Sequence, residues 1–137
     1  MSDKVVIRVA EVMEFNFIAI DGLTTVAKAL NQMGDEDARF LIVNKRSDDD
    51  EFGMVLVSDI AKQVLARHRS PDRVNVYEIM AKPVLSVSPT MDIRYCARLF
   101  ERFGISIAPV IDAGEIKGIV TYSALVMKGL VRLALDS

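Results

Sequence analysis

Two short stretches carry the polar residues best placed to meet a ligand: Gly53-Met54-Val55-Leu56-Val57-Ser58-Asp59-Ile60 and Gly118-Ile119-Val120-Thr121-Tyr122-Ser123-Ala124-Leu125. In each, glycine opens an apolar run of strand character and a serine stands where a helix begins, so Ser58 and Ser123 are expected as N-caps. A helix start presents free N–H groups and the positive end of the helix dipole, which suits an anion or a polar ligand. Asp59 brings a carboxylate, which serves a hydroxyl-bearing ligand or the helix start itself. Thr121 offers a hydroxyl, or only a β-branched side chain to a strand. Other chemistry is sparse. His68 is the single histidine and Cys96 the single cysteine, so neither a zinc site nor a nucleophile–base constellation is argued from them. The run Asp48-Asp49-Asp50-Glu51 lacks the ligand spacing of a calcium loop and reads as a solvated turn. No glycine pattern of a phosphate loop or dinucleotide fold is present.

Composition bounds what these residues serve. The chain has 137 residues, 51% of them hydrophobic and 26% charged, which suits one domain or two very small ones sharing a core. A net charge of −2 without a basic block gives no footing for nucleic acid or an anionic membrane. One cysteine excludes an intramolecular disulfide and fits a reducing compartment. No apolar run approaches a bilayer span and the start lacks a leader pattern, so the expected location is the cytoplasm.

The elements that must position the two stretches repeat. Val12-Met13 matches Ile79-Met80, Ile18-Ala19-Ile20 matches Leu85-Ser86-Val87, and Val26 and Leu30 match Ile93 and Ala97, all at one offset. Gly53 matches Gly118 at a slightly shorter offset, as a longer loop in the first copy requires. Units that repeat in this way usually cannot bury their apolar faces alone. The first copy is expected as a strand at Phe17–Ile20, a helix over Thr24–Met33 with Val26, Ala27, Leu30 and Met33 inward, strands at Phe40–Val43 and Gly53–Val57, and a helix over Ile60–His68. The second is expected as a strand at Val84–Val87, a helix over Ile93–Phe103 capped by Thr90 or Asp92 and ended by Gly104, a hairpin of Ala108–Ile111 with Ile116–Thr121, and a helix from Ala124 to about Leu135. Cys96 falls on a buried helix face.

With Val12-Met13, Ile79-Met80, the Ala108-Pro109-Val110-Ile111-Asp112 strand and two glycine-led strand–helix junctions, the chain resembles a tandem pair of cystathionine-β-synthase (CBS) domains, a Bateman module. The resemblance covers about Val9 to Val126. It implies an α+β fold in which two pseudo-symmetric β-α-β-β-α repeats, 9–69 and 76–127, pack together, with clefts between them that often hold adenosine nucleotides. It also implies further pairing into homodimers and a regulatory rather than catalytic role. Family sites use a hydroxyl, two spacers and a carboxylate after the glycine-led strand. Here that motif is split: Leu56 precedes Asp59, and Thr121 precedes Ala124.

From the resemblance, Asp59 would hold ribose hydroxyls, Ser58 and Thr121 would be polar contacts, Arg39 and Lys82 would meet phosphate, and Ile18 and Leu85, with Phe17 and Val84, would wall the adenine. Each has a plainer reading: a cap for Asp59 and Ser58, strand for Thr121, solvated surface for Arg39 and Lys82, and core packing for the apolar four. The expected function is a stand-alone, non-enzymatic sensor of AMP, ADP or ATP that signals to a separate effector protein. The alternative is a ligand-free dimerisation module with degenerate sites. Residues 128–137 form the expected extension at a dimer interface, because the last helix is apolar around most of its circumference. Burial against the first copy would serve the same apolar surface. Gly129 within that helix costs about 1 kcal/mol relative to alanine, so packing must hold it.

Overall fold

The computed structural model describes residues 5–136; residues 1–4 of the lead-in and Ser137 of the expected C-terminal extension lie outside them. The chain forms two compact units: a three-stranded unit, Asn16–Pro83, and a hairpin unit, built from the described part of Met1–Phe15 together with that of Val84–Ser137.

In the three-stranded unit, β1 (Phe17–Ile20) runs parallel to β2 (Phe40–Val43), and β3 (Gly53–Val55) pairs antiparallel with β2. As the middle strand, β2 buries Leu41, Ile42 and Val43 in succession, whereas β1 alternates, with Ile18 and Ile20 inward and Ala19 outward. The crossover is α1 (Val26–Asp35), whose start is capped by Thr25: Oγ1 accepts from the Lys28 N–H at 3.2 Å. Val26, Ala29 and Met33 face the core. Leu30, expected with them, is 42% exposed, because the buried stripe is centred between Ala29 and Met33 and Leu30 falls on its margin. After β3, α2 (Val57–Ile60) runs into a π-helical turn, Ala61–Leu65. This helix begins and ends about one turn earlier than expected, and His68, in the left-handed region at φ 53°, lies beyond its end.

In the hairpin unit, α3 (Ile93–Phe103) is capped by Asp92, whose Oδ1 accepts from the Arg94 N–H at 2.8 Å, and is closed by Gly104 at φ +65°. β4 (Ile107–Asp112) and β5 (Glu115–Thr121) meet over Ala113 and Gly114, both at positive φ, which matches the twist a two-residue hairpin loop needs. The strand expected over Val84–Val87 does not form. Val87 alone bridges Val110, donating to the Pro109 carbonyl and accepting from the Ile111 N–H, each at 3.0 Å. Pro83 and Pro89 bracket this segment, and a residue without an N–H cannot extend a ladder. Beyond β5, α4 (Tyr122–Ala124), a π-helical stretch (Leu125–Leu130) and α5 (Val131–Asp136) follow one another without interruption.

The repeat reappears in packing, with its lead-ins exchanged. The 3-10 turn Val9–Glu11 belongs to the hairpin unit, with the body of the second copy, and Val76–Glu78 belongs to the three-stranded unit, with the body of the first. The spans 9–69 and 76–127 therefore mark sequence repeats, and the compact units are drawn differently. Each turn is closed by its own glutamate: Glu11 accepts from the Arg8 N–H and Glu78 from the Asn75 N–H, both at 2.7 Å. Each glutamate also pairs with an arginine of its unit, Glu11 with Arg132 at 3.1 Å and Glu78 with Arg69 at 3.2 Å. Behind the turns, a Cβ on Gly53 would lie 2.5 Å from Met80 Sδ, and one on Gly118 would lie 2.9 Å from Met13 and 3.0 Å from the Glu14 carbonyl. The residues matched in sequence, Met13 with Met80 and Gly53 with Gly118, are thus the two sides of equivalent contacts.

Each unit has its own core. Cys96 is fully buried beside Phe100, and burial pushes its thiol up to about 11.

Candidate ligand-binding site

The first junction runs from β3 into α2. Leu56, with extended backbone (φ −94°, ψ 156°), holds the N-cap position, and Val57 already belongs to the helix. Ser58 is the second helical residue and exposed, so the expectation that it caps is overturned. The cap is made from the other end: Asp59 Oδ2 accepts from the Leu56 N–H at 2.8 Å. That bond uses one oxygen of a half-buried carboxylate and leaves Oδ1 over.

The second junction runs from β5 into α4. Thr121 holds the N-cap position (φ −125°, ψ 161°), and its Oγ1 accepts from the Ala124 N–H at 3.0 Å. Ser123 lies inside the helical run and is exposed, so its expected capping role is overturned as well. Tyr122 donates its N–H to the Ser106 carbonyl at 3.0 Å.

Together the two junctions display the halves of one device. A capping box needs a hydroxyl at the N-cap accepting from the backbone three residues on, and an acid there accepting in return. The first junction keeps the acid and replaces the hydroxyl with Leu56. The second keeps the hydroxyl and replaces the acid with Ala124, which is 3% exposed.

Within the three-stranded unit, register shows what joins the first junction. Phe17 faces Phe40 and Leu41 faces Val55, so the starts of β1 and β2 and the end of β3 share one end of the sheet. Asn16, Arg39 and the Leu56–Asp59 turn therefore gather there. Arg39 is exposed; its N–H donates to the Asn16 carbonyl at 2.7 Å. Asn16 was not singled out from sequence, and its side chain is unusual: Oδ1 is buried and has no hydrogen-bond partner. The available signal was a lone amide between Phe15 and Phe17, at the head of an apolar strand.

The remaining expected residues lie apart from that turn or serve other contacts. Ile18 is 4% exposed and packs in the core of the three-stranded unit. Leu85, half-buried, packs against the core of the hairpin unit. Val84 is 64% exposed. Lys82 Nζ is held by the acidic loop, 3.0 Å from Asp50 Oδ1 and donating also to the Glu51 carbonyl. Asp50 in turn accepts from the Arg46 N–H at 2.9 Å. That backbone bond, then Lys82, hold its carboxyl down to about 2. A depression of about 500 Å³ in this unit lies at the opposite end of the sheet, lined by Asp21, Leu23, Lys45, Arg46 and Tyr77 among others, and includes none of the expected site residues. Among the described residues, no group of three His, Cys, Asp or Glu side chains could hold a metal, and no helix is long and apolar enough to cross a membrane.

Comparison with known proteins places this arrangement. A profile of the CBS domain matches residues 76–129. Over 82 residues the chain is 32% identical to an uncharacterised protein of Methanopyrus kandleri, an overlap of 59% of this chain and 41% of that protein. The chain spans about half the length of the curated relatives it matches. Among solved structures, a hexameric CBS-CP12 protein from bloom-forming cyanobacteria is 39% identical, with a TM-score of 0.81 over 90% of this chain and 68% of that one. A CBS-domain protein of Pyrobaculum aerophilum in complex with AMP is 19% identical, with a TM-score of 0.74 over 94% of this chain and 99% of that one.

Proposed function

The chain belongs to the CBS-domain family as a tandem pair, and from that premise we propose that it is a regulatory module that binds an adenosine-containing nucleotide at its first strand-to-helix junction and passes the bound state to a partner protein. The observation that carries this reading is the half-used carboxylate of Asp59. Its Oδ2 is held by the Leu56 N–H, which fixes the side chain and leaves Oδ1 to accept from ribose hydroxyls, a charge-assisted bond. Arg39, exposed at the same sheet end, supplies a guanidinium for phosphate. Ser58 is a secondary polar contact there, and Thr121 a polar contact at its own junction in the hairpin unit. Lys82 reaches a phosphate only by leaving Asp50. The AMP-bound Pyrobaculum protein supports the reading through its shared fold.

Signalling would follow from differential affinity: the nucleotide shifts the population of two packing states only as far as it binds them unequally. The partner would be met through exposed apolar residues of the last helical run, where a second copy of this chain would also pair. Catalysis has no role in this reading, and the nucleotide is a regulator, not a required cofactor. The test is thermal unfolding with saturating AMP, ADP or ATP. Native-state binding at a hundredfold excess over Kd stabilises by about 2.7 kcal/mol and raises the midpoint. No shift with any of the three removes the nucleotide reading.

A second reading has its own support. At each junction the surviving polar side chain already caps its own helix, which is what a ligand-free dimerisation module would retain.

A further inference from the structure

We propose that the depression in the three-stranded unit is a second ligand site, and that it takes a free α-amino acid with an apolar side chain. The depression lies at the opposite end of the sheet from Asp59, so its occupancy does not depend on the nucleotide reading. It measures about 500 Å³ and is lined by Asp21, Leu23, Lys45, Arg46 and Tyr77 among others, a size common to small-molecule sites. Lys45 and Arg46 bring two cations, and among the described residues neither side chain forms an ion pair. Lys45 is half-buried, its ammonium 5.1 Å from the centre of the Phe52 ring. The neighbouring Asp50 does not neutralise Arg46: one carboxylate oxygen takes the Arg46 backbone N–H and the other takes Lys82. An ammonium and a guanidinium on one wall suit a carboxylate. Asp21 adds the opposite charge. Its Oδ1 accepts from the Leu23 N–H at 2.7 Å, which leaves Oδ2 for an amine. Leu23 and Tyr77, 71% and 47% exposed, set apolar surface beside these charges. A carboxylate, an amine one carbon away and an apolar side chain are what such an amino acid presents. A simple anion would leave Asp21 facing it, and a neutral apolar molecule would leave both cations unused.

The floor of the depression is held by backbone bonds. Thr24 donates to the Asp21 carbonyl at 3.0 Å, Tyr77 to the Gly22 carbonyl at 3.0 Å, and Asn44 to the Ile20 carbonyl at 2.8 Å. A site held in this way needs little reordering to meet a ligand. The sequence repeat supplies an internal comparison. In the hairpin unit Ala10 donates to the Pro89 carbonyl at 2.9 Å, the counterpart of the Tyr77 bond to Gly22. The fold therefore asks only for the backbone contact, yet the matched side chains differ. Ala10 stands for Tyr77, Ser88 for Asp21 and Thr90 for Leu23. The loop that supplies Lys45 and Arg46 has no counterpart there, since Ala113 and Gly114 alone join β4 to β5. The charges and apolar surface of the depression are thus additions that one copy carries and the shared fold does not require.

The experiment is calorimetric titration of the full chain with L-leucine and L-phenylalanine, and with two analogues of phenylalanine: 3-phenylpropionate, which lacks the amine, and phenethylamine, which lacks the carboxylate. The native protein should bind at least one of the amino acids saturably, and each analogue about tenfold or more weakly than phenylalanine. Arg46→Gln and Tyr77→Ala should each weaken the amino acid about tenfold or more. Both should keep the native unfolding midpoint, because Arg46 is exposed and the Tyr77 bond to Gly22 is made by the backbone. Absence of saturable heat with both amino acids at about 10 mM overturns the proposal. So does binding that both variants leave unchanged, which would put the site elsewhere, and so does equal affinity for 3-phenylpropionate, which would make it a site for carboxylates alone.

Discussion

Asp59 and Thr121 show how a ligand motif and a folding motif share atoms. The hydroxyl-x-x-acid pattern is a capping box before it is anything else, and this chain has divided it between two helices. The split was legible in sequence as Leu56 and Ala124 in place of the expected hydroxyl and acid. Its meaning was not, because Ser58 and Ser123 offered themselves as caps, and only backbone geometry reveals that each helix begins before its serine. Asn16 escaped notice for a related reason: no local pattern announces that an amide oxygen will be left unpaired. The residue scale also carries a pH prediction. Asp50 has its folded pKa depressed from 3.8 to about 2. Its contribution to stability is therefore complete above pH 4 or so and is lost as the pH falls toward 2. Asp50→Asn should flatten the fall of the urea midpoint across that acid window, and parallel curves for variant and native protein would deny the acidic loop this part.

At the scale of elements, each glycine-led strand lies against a methionine from a lead-in turn. Gly118 is the stricter case, since an added methyl would crowd the backbone carbonyl of Glu14 as well as Met13, whereas Gly53 confronts side chains alone, chiefly the flexible thioether of Met80. Gly118→Ala should cost about 1–3 kcal/mol by overpacking, and Gly53→Ala less. Urea titration of the two variants checks the order, and the reverse order would contradict the contact. Sequence matching found all four residues without indicating that they touch, because the match compares copies and the contact crosses between them. Alternating and continuous apolar runs located β1, β2, β4 and β5 well. Other features lay beyond such patterns: the reduction of Val84–Val87 to one bridge, the work of flanking prolines, and the π-helical turns after both junctions, for which periodicity has no signature. In the second of those turns, Gly129 packs against Ile93, where a Cβ would fall 2.5 Å from Cδ1. Helix propensity is given up there for close approach.

For the molecule as a whole, the last helical run is the surface through which the proposed pairing would run. Leu125, Gly129 and Leu133 are buried, while Met127, Leu130 and Leu135 are 67%, 56% and 79% exposed. Such a face fits pairing of two copies. Sedimentation should find the native protein heavier than one chain and Met127→Glu with Leu130→Glu reduced to a monomer; a monomeric native protein would reassign that face. The central claim, that Asp59 both caps its helix and holds a nucleotide, is tested most directly by AMP calorimetry on native protein and Asp59→Asn. The asparagine keeps an acceptor for the Leu56 N–H but loses the charge offered to ribose. The account predicts a nearly unchanged unfolding midpoint with AMP affinity weakened about tenfold or more. Equal affinity in the two proteins would contradict it.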